Sequence, residues 1–384
     1  MGHLTRLLPA VVYDPLVVGT NVWRDDLGFE MDNLSVHHTA YGGYWTLGFG
    51  LNGRRSHIED WLDSGLARHV ELYSPSLDII WEGFVNKVSG NIGSLSVQVG
   101  PLLDMANRIK VAYSTVDTSV TPPAVGIRET TTWGNDTVSQ ARYGIISKVI
   151  SVSGSTAANA AQLRTVRLSD LARPARTETD NLESSVHPSA TVECLGYAHW
   201  LNTYVCDLTT TGTQNASVKL QAVLAAEPNG IFSTDYSSLT ANTTPVGAYD
   251  RDLRPAATIM KAIVALGDTA FNRWTFAFGP GRKPFYAAIP LAVKYERTLG
   301  DPRQALTLPA GIEVMPWDAR AGQWAFYTDL LIGKNEPASF RDDMRYLFIE
   351  EATFTVPWGL TLTGSRLQKG EQLLARLGLG GTIA

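Results

Sequence analysis

The sequence predicts an α+β protein that is β-rich, with strands gathered at both ends and a mixed region between them. Residues 44–51 (YWTLGFGL) and 94–100 (SLSVQVG) alternate apolar with small or polar residues, which is the period of two expected of a half-buried strand. Strand patterns return in quick succession from residue 273 onward. This order of strands, mixed region and strands favours an α+β architecture.

The strand pattern of the first third is that of a hairpin sheet. In residues 44–51 the alternation puts Trp45 on the same face as the two leucines and Phe49. Segments 68–74 and 79–88 flank a short turn, and we expect them to pair with each other.

Helices are predicted where capping residues flank an apolar period. They span residues 56–63, 102–109, 137–142, 156–172, 197–202, 217–227, 254–268 and 366–379. The first has Ser56 as its predicted N-cap, Glu59 as the capping-box partner and Gly65 at its end.

At 384 residues the chain is long enough for more than one core. The element order predicts three parts: an N-terminal β domain at 1–115, a mixed middle region at 116–272, and a C-terminal β domain with the last helix at 273–384.

The composition excludes some classes of function and points to contact with other protein. The chain has 32 Lys and Arg against 37 Asp and Glu, which gives a net charge of −5. Binding to nucleic acid or to an anionic membrane needs a basic surface, so neither is expected to be the main role of the protein. Only 18% of residues are charged, against roughly 25% in ordinary soluble domains. With 10 Trp, 14 Tyr and 12 Phe, part of the apolar surface is expected to meet other subunits.

The apolar segments and cysteines bear on where the protein works. The chain has no uninterrupted run of 18 apolar residues and no convincing secretory signal at its N-terminus, so no membrane span is expected. Cys194 and Cys206 are too few for a disulfide framework and are expected to be buried thiols made in a reducing compartment.

Catalytic motifs are missing from the sequence, which therefore predicts a protein that is not an enzyme. The segment at 278–285 (FGPGRKPF) lacks the Gly-Lys-Ser/Thr ending of a phosphate loop and is better explained as a turn between strands. Of the carboxylate pairs, Glu350 and Glu351 are neighbours on a predicted strand, so one of them should face solvent or a partner.

The histidines and cysteines do not predict a metal site. His37 and His38 are adjacent and point to opposite faces of a strand, so they do not chelate one ion together. Cys194, His199 and Cys206 lack the spacing of a zinc site and are expected in the core. Neither a metal nor a cofactor is expected.

Several segments resemble the phage tail hub family, which includes baseplate hubs of contractile tails and tail-tip hubs of long non-contractile ones. One is a hairpin with a Trp/Phe-x-Gly-x-Val element, here Trp81, Gly83 and Val85, followed by a strand and a short helix. Another is a Ser-x-x-x-Tyr-Gly turn ending at Tyr143 and Gly144, followed by a strand and an alanine-rich helix. The strands from 285 to 364 are similar to the family's second tube-like domain.

The resemblance implies two tail-tube-like β-barrel modules with a mixed helical middle region, in a trimer between the tail tube and a central spike or fibres. Implied partners are the tail tube, the distal tail protein, the tape measure and the spike or fibre. The protein would then be made in the host cytoplasm and reside in the virion. DNA would pass without specific binding, since like charges repel. The resemblance implies no catalytic residues.

Two other functions stay open on the sequence. One is a distal tail ring protein of the same assembly, hexameric rather than trimeric. Segment 1–40, which precedes the first barrel, is compatible with that alternative. The other is a carbohydrate-binding or carbohydrate-cleaving tail protein that uses a tryptophan-rich face including Trp324 and Trp358. The five motif residues are candidates for assembly, with a role in the fold as the simpler expectation.

Overall fold

The computed structural model confirms the β-rich α+β class. It describes residues 8–12, 29–74, 76, 78–117, 121, 124–182, 186–206, 212–247, 253–270, 272–290, 292–299, 305–328, 346–355 and 359–365. The predicted helix at 366–379 and the carboxylate pairs at 25–26 and 342–343 lie outside these residues.

The first part of the described chain is six strands with one helix packed on them. The strands are β1 (Leu8–Val12), β2 (Phe29–Thr39), β3 (Gly42–Gly53), β4 (His69–Tyr73), β5 (Ile79–Gly93) and β6 (Leu95–Val99). The helices are α1 (Arg55–Ser64) and a 3₁₀ turn (Leu102–Asp104).

The middle part mixes strands with four α-helices and one 3₁₀ helix. The strands are β7 (Arg108–Asp117), β8 (Ala124–Thr130), β9 (Gly134–Asn135), β10 (Ser147–Ser153), β11 (Arg176–Asp180), β12 (Val186–Gly196), β13 (Gln214–Asn215) and β14 (Pro245–Val246). The helices are α2 (Thr137–Tyr143), α3 (Ala157–Leu171), α4 (Ala216–Ala225), α5 (Ala256–Ala265) and a 3₁₀ helix (Tyr197–Asn202).

The last described part is again made of strands. They are β15 (Trp274–Gly279), β16 (Lys283–Ala288), β17 (Val293–Thr298), β18 (Leu306–Thr307), β19 (Glu313–Val314), β20 (Trp324–Thr328), β21 (Tyr346–Thr355) and β22 (Gly359–Ser365). Two 3₁₀ turns, Pro280–Arg282 and Pro316–Asp318, connect them.

One large sheet joins the two ends of the chain. Its strand order is β1-β4-β5-β12-β3-β2-β21-β20-β17-β18-β19, with β6, β11, β15, β16 and β22 attached beside this path. Two pairings cross between the N- and C-terminal parts: β2 runs antiparallel to β21, and β3 runs parallel to β15. Strands β10, β7, β8 and β9 form a second sheet, on which α3 packs.

The tube-like barrels and the three-part domain division stay predictions. Among the described strands no pairing joins β1 to β19, the two ends of the main path. The pairings of β2 and β3 with C-terminal strands also carry one sheet across residue 273, where the last domain is predicted to begin.

Strand β5 lies between two apolar cores, so both of its faces are buried. Trp81 and Val85 pack into a core that includes Phe49 of β3 and Trp61 of α1. Phe84 points into the other core, which the middle helices and the β15–β16 hairpin fill. A strand buried on both faces is nearly continuous in apolar residues.

A β-bulge overturns the predicted placement of Trp45. His37 pairs with Thr46 and His38 with Tyr44, which leaves Trp45 as the extra residue of β3. The bulge reverses the alternation, so Tyr44 becomes the buried residue and Trp45 is half-buried. The alternation beyond the bulge is as predicted, with Leu47, Phe49 and Leu51 buried.

Two helix predictions need correction. Helix α1 begins after Arg54, which makes no side-chain cap bond, so Ser56 lies inside the helix; Glu59 instead accepts from Arg55. Gly65 ends the helix as predicted. The segment predicted as a helix to residue 109 is a single 3₁₀ turn that ends at Asp104, and β7 begins at Arg108 because this backbone pairs with β10.

The predicted helix at 137–142 is confirmed together with its caps. Asp136 accepts a hydrogen bond from Ser139 N at 2.9 Å, and Gly144 has a φ of 76°, a left-handed backbone that favours glycine. Buried Asn107 holds this turn, because its Nδ2 donates to Gly144 O at 2.7 Å and its Oδ1 accepts from Ile146 N at 2.8 Å.

Gly83→Ala is expected to lower the free energy of unfolding by about 1–3 kcal/mol, since the added methyl group would force closely packed neighbouring atoms to move. A Cβ at Gly83 would lie 2.3 Å from the carbonyl oxygen of Leu195 and 2.3 Å from the Trp81 ring. Gly48→Ala is the matched control, because no heavy atom lies within 4 Å of its Cβ position. Urea unfolding of both variants measures the difference, and equal stabilities would contradict the close approach.

Asn107→Ala is expected to destabilise the protein by about 2–4 kcal/mol, since it leaves a buried carbonyl and a buried N–H without partners. Asn202→Ala, at the end of the 3₁₀ helix Tyr197–Asn202, is the control. Asn202 is exposed and donates only to His199 O at 3.1 Å, so its loss should cost less than about 1 kcal/mol. Thermal unfolding measures the stability of both variants. Equal losses of stability would contradict the structural role of buried Asn107.

Candidate functional site

The structure places the three residues of the first motif next to one another on β5, all of them buried. Trp81 and Val85 have no exposed surface, and Gly83 lies between β4 and β12, opposite Val70 and Gly196. Each therefore has a place in the fold of the single chain, and their role in assembly stays a prediction.

The second motif lies in the other core. Tyr143 is 6% exposed and packs with the residues around Trp200, and Gly144 ends α2. The structure thus keeps the two motifs in separate apolar clusters instead of bringing them together.

Between Trp81 and Gly83 lies Glu82, the centre of a buried polar cluster. Glu71 of β4 is its direct cross-strand neighbour, so two carboxylates face each other in the interior. His69, two residues before Glu71 and thus on the same face of β4, completes the group. The side chains of His69, Glu71 and Glu82 are 3%, 10% and 2% exposed, so all three belong to the interior.

The three side chains converge at one point. His69 Nε2 lies 2.9 Å from Glu71 Oε1 and 3.8 Å from Glu82 Oε1. Imidazole nitrogen and carboxylate oxygen are atoms that also coordinate transition metals.

The turn of the β15–β16 hairpin docks on this cluster. Glu82 Oε2 accepts from the backbone N–H groups of Gly281 at 2.7 Å and Arg282 at 3.2 Å. Arg282 Nε lies 3.6 Å from Glu82 Oε1, and its guanidinium stands 4.8 Å from the centre of the Tyr197 ring. The segment at 278–285 therefore forms the predicted turn between strands, and its backbone binds a carboxylate of its own chain.

The two carboxylates differ in their electrostatic surroundings. Burial raises the pKa of Glu82, and the neighbouring His69 and Arg282 offset only part of that rise. Burial also acts to raise the pKa of Glu71, but hydrogen bonds with His69 and Tyr73 outweigh it and leave that pKa lowered. The Tyr197 hydroxyl lies 2.7 Å from His69 Nδ1. Burial raises the pKa of Tyr197, so this side chain is a neutral phenol.

Sequence reasoning passed over this cluster although a signal was present. Glu82 is the single charged residue in the apolar run IIWEGFV, and Glu71 has the same position in HVELY. A charged residue inside a buried strand needs a partner. Arg282 is about 200 positions away along the chain, so no spacing pattern could have indicated it.

The other sequence candidates lie elsewhere. His38 is buried, and His37 Nε2 lies 3.6 Å from Glu351, so the two point apart as expected. Cys194 and Cys206 are buried in different cores, which confirms core packing. Glu351 is the member of its pair that is exposed.

The tryptophans do not form an exposed platform on the part of the chain that the structure describes. Every tryptophan there is buried or half-buried, and the Trp324 ring packs on Phe348 with centroids 5.5 Å apart. Trp358 lies outside the described residues. No described helix is long and apolar enough to cross a membrane.

Comparisons with known proteins give likenesses at low identity. No family model matches the chain, and no curated protein sequence matches it. Among solved structures, the chain is similar to the 43 kDa tail protein of prophage MuSo2 from Shewanella oneidensis, with 6% identity, a TM-score of 0.41, and coverage of 96% of this chain and 98% of that one. It is also similar to an E. coli component of the type VI secretion system that exhibits structural similarity to the T4 bacteriophage tail proteins gp27 and gp5. That alignment has 8% identity, a TM-score of 0.38, and coverage of 89% and 77%. At such scores the likeness carries no functional conclusion.

His199 is expected to make stability depend on pH. Burial, with the charge of Lys261, lowers the pKa of His199 to about 4, and its ring lies on Trp45 with centroids 3.9 Å apart. In the unfolded chain a histidine binds its proton near pH 6.5, whereas folded His199 does so only near pH 4. The free energy of unfolding is therefore unaffected by His199 above pH 6.5, and it falls by roughly 1–3 kcal/mol as the pH decreases from 6.5 toward 4.

His199→Phe keeps the ring contact and removes the titration. Urea unfolding should be measured between pH 7 and pH 4, which spans the pKa of His199 in the unfolded and the folded chain. The free energy of unfolding should fall less over this range for the variant than for the wild type. Identical pH profiles would contradict the prediction.

Proposed function

We propose that the protein is a structural, non-enzymatic component of a phage tail tip or baseplate, acting as hub and symmetry adaptor between the tail tube and a central spike or fibres. One observation carries the proposal: the residues of the family resemblance fold into the elements that it implies, in the implied order. Trp81, Gly83 and Val85 lie in the β4–β5 hairpin, which leads to β6 and then to a single 3₁₀ turn where the family has a short helix. Gly144 follows α2 and leads to β10 and then to the alanine-rich α3.

The open edge of β11 supports contacts with other subunits. Among the described strands β11 pairs with β6 alone, and all five of its residues are exposed. A free strand edge presents N–H and C=O groups that another chain can pair with. Leu182, which closely follows this strand, is 86% exposed. Such a surface fits partners such as the tail tube, the distal tail protein, the tape measure or the spike, and a further copy of the chain.

Native mass spectrometry of the purified full chain tests the proposal. A homotrimer is the expected result. A hexamer would favour the distal tail ring instead and overturn the hub assignment, and a monomer across the accessible concentration range would overturn both.

Leu182→Ser tests whether the β11 edge is the subunit contact. It should raise the dissociation constant of the oligomer, because an apolar side chain is lost from the interface. Val166→Ser on α3, where the replaced residue is 51% exposed, is the control and should leave the oligomer unchanged. Equal effects of the two substitutions would place the contact elsewhere.

A further inference from the structure

We propose that His69, Glu71 and Glu82 bind a divalent metal ion of the zinc class. One donor atom from each of the three side chains lies within 4.8 Å of the other two, in the interior. The inference does not depend on the role in a phage tail, because it rests on this cluster alone.

The distances fit an ion after small side-chain movements. Zinc holds nitrogen and oxygen ligands at about 2.0–2.2 Å, which places neighbouring ligand atoms roughly 3–3.5 Å apart. The two separations from His69 Nε2, 2.9 Å to Glu71 and 3.8 Å to Glu82, lie on either side of that range. A shift of each carboxylate oxygen by a few tenths of an ångström brings the two separations into it.

The second donor or acceptor atom of each of the three side chains makes a hydrogen bond with another residue of the protein. His69 Nδ1 contacts the Tyr197 hydroxyl at 2.7 Å, and Glu71 Oε2 accepts from the Tyr73 hydroxyl. Glu82 Oε2 accepts from two backbone N–H groups of the hairpin turn. Outer hydrogen bonds of this kind orient metal ligands and leave the near atoms directed at the ion.

The charge of the cluster also favours a cation. Glu71 and Glu82 face each other across β4 and β5, and like charges in direct opposition destabilise a sheet. Arg282 Nε, 3.6 Å from Glu82 Oε1, supplies one positive charge against the two carboxylates. Arg282 is therefore a built-in competitor for the ion, and its removal should strengthen metal binding.

The donor set selects the class of metal. One imidazole with two carboxylates suits zinc and its neighbours in the first transition row, whereas calcium takes six to eight oxygen ligands. Three protein ligands leave a fourth position of a zinc ion for water or a small anion. For the ion to bind, the ring proton of His69 must reside on Nδ1 and be donated to the Tyr197 oxygen.

Calorimetric titration of the full chain with Zn²⁺, after treatment with a chelator, is the primary test. We expect one ion per chain with a dissociation constant in the micromolar range or below, together with a rise in Tm. Ca²⁺ at the same concentrations should give neither. The absence of saturable Zn²⁺ binding to the wild-type chain would overturn the proposal, and this result needs no variant.

Three variants locate the ion. Glu71→Gln removes a donor while keeping the side-chain volume and should weaken binding at least about tenfold. Glu193→Gln, on the exposed side of β12, is the matched control and should bind as the wild type does. Arg282→Met should bind more tightly than the wild type, an effect that a cluster serving only as an ion pair would not produce. Wild-type affinity in Glu71→Gln would place the ion at another site and overturn the assignment.

Discussion

One buried carboxylate, that of Glu82, joins parts of the chain that are far apart in sequence. It lies on a strand whose two faces are both covered, opposite a second carboxylate, and it accepts hydrogen bonds from the turn of the β15–β16 hairpin. A buried charge without partners would cost several kcal/mol, so the folded sheet needs the hairpin turn whose backbone N–H groups bind this carboxylate. Docking of the hairpin and closure of the apolar core beneath it are therefore coupled.

Much of the fold could be predicted from the sequence because local physics decides it. The period of two located the strands, and Asp136 with Gly144 fixed both ends of one helix, as found. The errors have equally local causes. A bulge at Trp45 reversed a strand's alternation, and pairing of β7 with β10 overrode a helical pattern that follows residue 102. Neither bulges nor long-range pairing leave a clear trace in a single sequence.

The polar cluster was the harder part to predict. The first motif is defined by its apolar and glycine positions, and the sequence does not indicate a role for the charged residue in its centre because the partners of that residue come from other elements. His69 and Glu71 are on the neighbouring strand, and Tyr197 and Arg282 belong to segments more than one hundred residues downstream. Tertiary structure creates such a cluster, so only the folded chain shows that these groups meet.

The strand-rich N- and C-terminal parts of the chain are joined in one sheet, and among the described strands the exposed edge of β11 is available to further subunits. The hub that we propose would surround a passage for DNA. Electron microscopy of the purified full chain tests this claim most directly. Ring-shaped particles with threefold symmetry and a central hole are predicted, and compact particles without a hole would contradict the account.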